Sequence, residues 1–183
     1  MKKRSKFSGV LVASLAAMFV TPALAEKNTF TTRLAGYEET PSTINSTGRG
    51  EFKATIGKDG TSIQYQLSYR DLSSTVTQSH IHFGRPALTG GIVLFLCTNL
   101  TPPAGVPTPQ HCPPFPATIS GTLNAADIIA VGAQGIDSGA AGFAEVVKAI
   151  RAGAAYANVH TTSHPSGEIR GPLGRPNDDE DDD

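Results

Sequence analysis

The 183-residue chain predicts a mainly β domain, an antiparallel sandwich or barrel with a short α-helical insertion before its last two strands. Three observations carry this reading. Short segments of alternating apolar and polar residues recur along the chain, turn residues separate them, and a helical period is confined to one stretch.

Taken in order, Phe30-Thr-Thr-Arg-Leu34 alternates and Ala35-Gly-Tyr-Glu-Glu-Thr-Pro41 breaks the pattern. A polar loop from Ser42 to Gly50 leads to Glu51-Phe-Lys-Ala-Thr-Ile56, which alternates again. Gly57-Lys-Asp-Gly60 supplies hairpin chemistry, and Thr61 to Tyr69 follows with Ile63, Tyr65, Leu67 and Tyr69 as its inward set. After the turn residues Arg70 to Ser74 comes Gln78-Ser-His-Ile-His-Phe-Gly84, then Gly90-Gly91 and the continuous apolar run Ile92 to Cys97, which predicts a strand covered on both faces. The loop Thr101 to Ala117 holds seven of the 13 prolines, so it is neither a central strand nor a helix. Thr118 to Leu123 resumes the strand pattern.

There the period changes. Asn124-Ala-Ala-Asp127 reads as a cap with an acidic partner three residues on, predicting a short helix over Ala125 to Val131. Phe143, Val146, Val147 and Ile150 fall at i, i+3, i+4 and i+7, a helix face that docks on a sheet, with Gly153 as its stop. Two last strands, Tyr156 to Thr161 and Glu168 to Leu173, flank the turn Ser163-His-Pro-Ser-Gly167. Glu168 and Arg170, two apart, suggest an ion pair or an edge contact.

Met1 to Lys6 is basic, Phe7 to Val20 is apolar, and Ala23-Leu-Ala25 has the small-x-small pattern of a cleavage site. Residues 1–25 therefore read as a secretory signal peptide, leaving one domain over 26–174. Nothing later in the chain has the length of a membrane span. Residues 178–183 are all acidic, and with the residues just before them form a self-repelling tail over 175–183 expected to stay disordered. The domain between leader and tail is near neutral, which gives no electrostatic footprint for nucleic acid. An exported, periplasmic or secreted protein with Cys97 and Cys112 reads as carrying one disulfide around the loop Thr98 to His111, worth about 3 kcal/mol in the chain-entropy model. The alternative, thiolate ligation of a metal with His111, fits an oxidising compartment less well.

The histidines carry the functional signal. On a strand, His80 and His82 point to one side, about 7 Å apart at Cα, while Ile81 faces the other way. His160 lies on the later strand and His164 on the turn after it. If the two strands meet, His80, His82 and His160 can ligate one transition metal, copper or zinc, with His164 as a fourth ligand. The bland reading is that His80 and His160 hydrogen-bond across neighbouring strands and fix register. Asn158, on the His160 face, would orient a ligand or pack.

Leu34-Ala-Gly36 with Glu39 and Pro41, Ser79-His-Ile-His-Phe-Gly84 with Gly90-Gly-Ile-Val93, and Tyr156-Ala-Asn-Val-His-Thr161 with Pro165-Ser-Gly-Glu-Ile-Arg-Gly171 together resemble the CHRD domain, the module described as a repeat in chordin. The resemblance covers Phe30 to Leu173 and implies a Greek-key-like β-sandwich without an activity common to the family. The Pro-rich loop and His164 depart from the family pattern. His80-Ile-His82-Phe-Gly84 is also similar to the copper-ligand strand of copper–zinc superoxide dismutases, but five histidines are too few for that dinuclear site.

No Gly-x-Ser-x-Gly elbow, His-Glu-x-x-His helix or phosphate-binding glycine loop is present, so an enzyme is not expected. Two readings remain. One is an exported metal-binding domain; the other is an interaction or adhesive module that presents loops, the Pro-rich one foremost, to an unidentified extracellular protein.

Overall fold

The computed structural model describes residues 28–174; the leader expected at 1–25 and the acidic tail at 175–183 lie outside the described residues. Eight strands form: β1 (Thr29–Ala35), β2 (Arg49–Ile56), β3 (Ser62–Arg70), β4 (Val76–Phe83), β5 (Gly91–Thr98), β6 (Ala117–Asn124), β7 (Ala155–Thr161) and β8 (Ile169–Leu173). One helix, α1 (Gly139–Arg151), precedes the last two strands. The strands make one sheet in the order β5-β4-β7-β8-β1-β2-β3-β6, every pair antiparallel. Of the two architectures the alternation allows, the chain adopts the nearly closed barrel.

Alternation fixes which face is buried. Ile63, Tyr65, Leu67 and Tyr69 of β3 all enter the core, beside Phe52, Ala54 and Ile56 of β2 and Ile81 of β4. Phe143, Val146, Val147 and Ile150 bring the apolar face of α1 onto the same core, each large apolar side chain contributing about 1.5–3 kcal/mol. The β2–β3 hairpin closes where Gly57 N–H donates to the Ser62 carbonyl at 2.9 Å, and Gly60 takes the positive φ of 71° that its turn requires.

The helix expected over Ala125 to Val131 is a single 3-10 turn, Ala125–Asp127. Its capping box forms as the spacing predicts, Asp127 accepting from Asn124 N–H and Asn124 from Ala126 N–H. Propagation stops because the next residues have better partners. Ile129 N–H donates to the Val93 carbonyl of β5 at 3.0 Å, and Val131 forms a bridge with Ile136.

That contact is part of a larger device. β5 and β6 are the two ends of the sheet, and the outer edge of β5 is covered along its length by groups from elsewhere. Gly91 N–H donates to Gln134, Tyr65 O–H donates to the Leu96 carbonyl, and Thr98 N–H donates to the Gln110 carbonyl. Gln110 also donates from its side chain to the Ser120 carbonyl of β6, so the Pro-rich loop spans the gap between the two ends. Its return is tied to β5 by the expected disulfide Cys97–Cys112, with Cα atoms 5.1 Å apart. Edge groups that would otherwise stay unpaired are thereby satisfied.

Candidate metal centre

β4 and β7 are neighbours in register, His80 opposite Asn158 and His82 opposite Tyr156. Directly paired residues share a face, so the meeting of the two strands gathers His80, His82, Tyr156, Asn158 and His160 on one side of the sheet. Ile81, Ala157 and Val159 take the other side and belong to the hydrophobic core. The histidine face is roofed by loops rather than solvent. His80, His82 and His160 are 0%, 7% and 6% exposed.

One ligand atom from each of these three histidines lies within 4.8 Å of the others. Two nitrogens bound to one tetrahedral ion at 2.0–2.1 Å stand about 3.3 Å apart, so the widest pair closes by no more than about 1.5 Å to hold one. His80 Nδ1 and His160 Nε2 stand 3.2 Å apart as a hydrogen-bonded pair, so an ion that takes His160 Nε2 replaces that bond. His164, the fourth ligand the sequence suggests, is not in this group; it lies half-buried on the turn, its backbone accepting from Gly167 N–H, and lines a separate cleft with Glu39, Pro41 and Ile44. His111 is exposed and contacts Asn99.

The roof fixes the tautomers. A carbonyl only accepts, so His82 Nδ1–H donates to the Gly90 carbonyl at 2.9 Å and His160 Nδ1–H donates to the Pro165 carbonyl at 3.0 Å. Each neutral ring then has a bare Nε2. His160 Nε2 accepts from His80 Nδ1–H, which leaves His80 Nε2 bare too. The Nε2 atoms of His80 and His82 and the Oδ1 of Asn158 are buried without a well-aligned hydrogen bond among the described residues, although Asn158 lies close enough to His82 to oppose the lowering of its pKa. Carbonyl-tied Nδ1–H groups behind outward Nε2 donors are the arrangement by which proteins orient histidine ligands.

Burial also keeps the rings neutral. Desolvation, assisted by the neighbouring histidines, drives His80 far below the usual imidazole value, and desolvation takes His82 down to about 4 against the opposing bond to Gly90. His160 is lowered for the same first reason. Neutral imidazole is the metal-binding form.

Aromatic and cationic neighbours complete the wall. Phe95 meets His80 edge-on at 4.5 Å, and Tyr156 stacks flat on His82 at 4.7 Å. The Arg170 guanidinium covers the other face of Tyr156 at 3.4 Å. It is held there by Thr40, with which it is hydrogen-bonded, and by the Arg85 and Leu88 carbonyls. Arg170 is thus a roof tie rather than the ion-pair partner of Glu168. Sequence reasoning singled out the histidines and Asn158 and missed the stack, whose signal was available: Tyr156, Asn158 and His160 alternate on one strand.

Glu168 sits in a second cluster, fully buried. Its carboxylate accepts from Ser46 O–H, Ser73 N–H, Ser73 O–H and Thr161 O–H at 2.6–2.8 Å. Burial alone would raise its pKa, and these bonds outweigh burial and hold it below the usual carboxylate value. Glu39 is the opposite case: burial, partly opposed by Arg170, pushes it up to about 7, and its Oε1 has no partner among the described residues. Gly167, at φ 128°, passes so close that a Cβ there would lie 2.6 Å from that carboxylate.

The family comparison agrees with this layout. The family model for the CHRD domain matches residues 30–173, from the second residue of β1 to the end of β8. Comparisons with curated proteins and with solved structures each gave no match. The histidine strand, the Tyr156–Thr161 strand and the loops that roof them all fall inside the matched region. The chain belongs to the CHRD domain family.

Proposed function

We propose that this chain is an exported CHRD protein that binds one copper or zinc ion through His80, His82 and His160. One observation carries the reading: three buried neutral imidazoles converge, and two of them have a bare Nε2 with no partner. Leaving buried polar atoms unmatched costs about 1–3 kcal/mol each, a cost that coordination removes. Imidazole donors suit copper and zinc, and copper leads the divalent affinity order. Export rests on the leader pattern of residues 1–25 and on the disulfide, which belongs to an oxidising compartment.

A second reading has its own observation. The 3.2 Å contact between His80 and His160 joins β4 to β7 and serves equally as a register lock. Tyr37, Leu88 and Leu100 stand 50–64% exposed on loops, where a protein partner would meet them. Metal analysis of tag-free protein, followed by copper and zinc titration, separates the two. Binding at one ion per chain is expected, weakened at least about 100-fold in His82→Ala or His160→Ala and unchanged in His111→Ala. Equal affinity in all three variants, or no binding, leaves the interaction module.

A further inference from the structure

We propose that the ion this site is built for is monovalent copper, Cu(I), rather than a divalent ion; the proposal rests on the metal-site reading above. The donor set contains three neutral nitrogens, and no cysteine or carboxylate joins the group among the described residues. The one further heteroatom facing it without a partner, Asn158 Oδ1, is also neutral. The formal charge nearest the rings is positive, the Arg170 guanidinium one ring away from His82, with the Glu39 carboxyl beyond it, raised to about 7 and so only partly ionised.

Such a shell does nothing to neutralise its ion. The cost of burying an ion rises with the square of its charge, so a divalent ion is penalised about fourfold more than a monovalent one. Closed divalent sites commonly answer this with thiolate or carboxylate ligands, and open three-histidine zinc sites with a bound water that ionises in their fourth position. Here the donors are 0–7% exposed and walled by Phe95 and Tyr156, which disfavours an anionic fourth ligand drawn from solvent. Cu(I) is satisfied by three nitrogens and brings one charge. The Arg170–Tyr156–His82 stack then acts as a filter, adding repulsion that a divalent ion feels twice as strongly.

The test uses the full chain without a histidine tag. Cu(I), kept reduced under anaerobic ascorbate, is titrated against bathocuproine disulfonate, with Cu(II) and Zn(II) titrated against competing chelators in parallel. Cu(I) is expected to bind one per chain, at least about 100-fold tighter than either divalent ion. Zinc or Cu(II) binding as tight as Cu(I), and lost in His82→Ala, overturns this inference while leaving the metal site standing. Failure of all three ions overturns both. Asn158→Asp, nearly isosteric, supplies the missing negative charge and should raise divalent affinity relative to Cu(I) by about tenfold or more. An unchanged ratio in that variant sinks the charge argument.

Discussion

Glu168 and the three histidines are buried to a similar depth, and Thr161 and His160, adjacent on β7, reach into the two clusters from opposite faces. Around Glu168 both carboxylate oxygens accept, from three hydroxyls and a backbone N–H. Around the histidines, three buried acceptor atoms go unmatched. A complete buried network holds a fold together; an incomplete one leaves polar atoms that the proposed ion would satisfy. The turn Ser163–Gly167 and the residues after it serve both ends, bringing the Pro165 carbonyl to His160 and Glu168 to Ser46 and Ser73.

The difference predicts a sharp contrast in stability. Glu168→Ala strips four donors of their acceptor and should cost about 3–5 kcal/mol, read as a lower midpoint in urea. A loss below about 1 kcal/mol would erase the distinction between the clusters. Next in size is the response to pH. The histidines titrate lower folded than unfolded, so the unfolded chain takes up protons first as pH falls. Their contribution is whole above about 6.5 and declines toward His82's folded value of about 4. Glu39, raised to about 7, works the opposite way over the same range, its folded form taking up a proton first and gaining stability as pH falls. The test therefore uses metal-free Glu39→Gln protein, which should lose about 2–4 kcal/mol between pH 7 and 5. Glu168, also lowered, works at a different pH: its contribution is whole above about 4.3 and is lost only as pH falls further. Stability flat from pH 7 to 5 in the Glu39→Gln protein would mean that the histidines are not desolvated. Smallest is the effect of His80→Leu, which removes one unmatched nitrogen beside Phe95 and leaves another, His160 Nε2, without its donor. Its stability should stay within about 1 kcal/mol of the parent, while metal binding disappears. A large loss of stability would make His80 a structural bond in the manner of Glu168.

The strands were legible because alternation is imposed locally by the pleat: Ile63, Tyr65, Leu67 and Tyr69 declare their face without any knowledge of neighbours. The same holds for the helix face from Phe143 to Ile150. His80 and His82 were legible as a pair for that reason, and His160 joined them only on the condition that β4 and β7 meet, a pairing no local rule fixes. The Glu168 cluster was invisible. Ser46, Ser73 and Thr161 come from three separate segments, and serine and threonine in loops read as turn residues wherever they occur. Ala125 to Val131 misled because a capping box specifies how a turn starts and says nothing about how far it continues, which the free edge of β5 decided.

That covered edge has a consequence for how copies of the chain behave toward one another. A strand with vacant ladder positions is a template on which another chain can polymerise. In this fold the partners that occupy the outer side of β5 include Gln110, on a loop whose return is anchored through Cys97–Cys112. Reducing the Cys97–Cys112 bond would free the anchor of that loop, so the oxidised pair helps keep ladder positions of β5 occupied that a second chain could otherwise pair with.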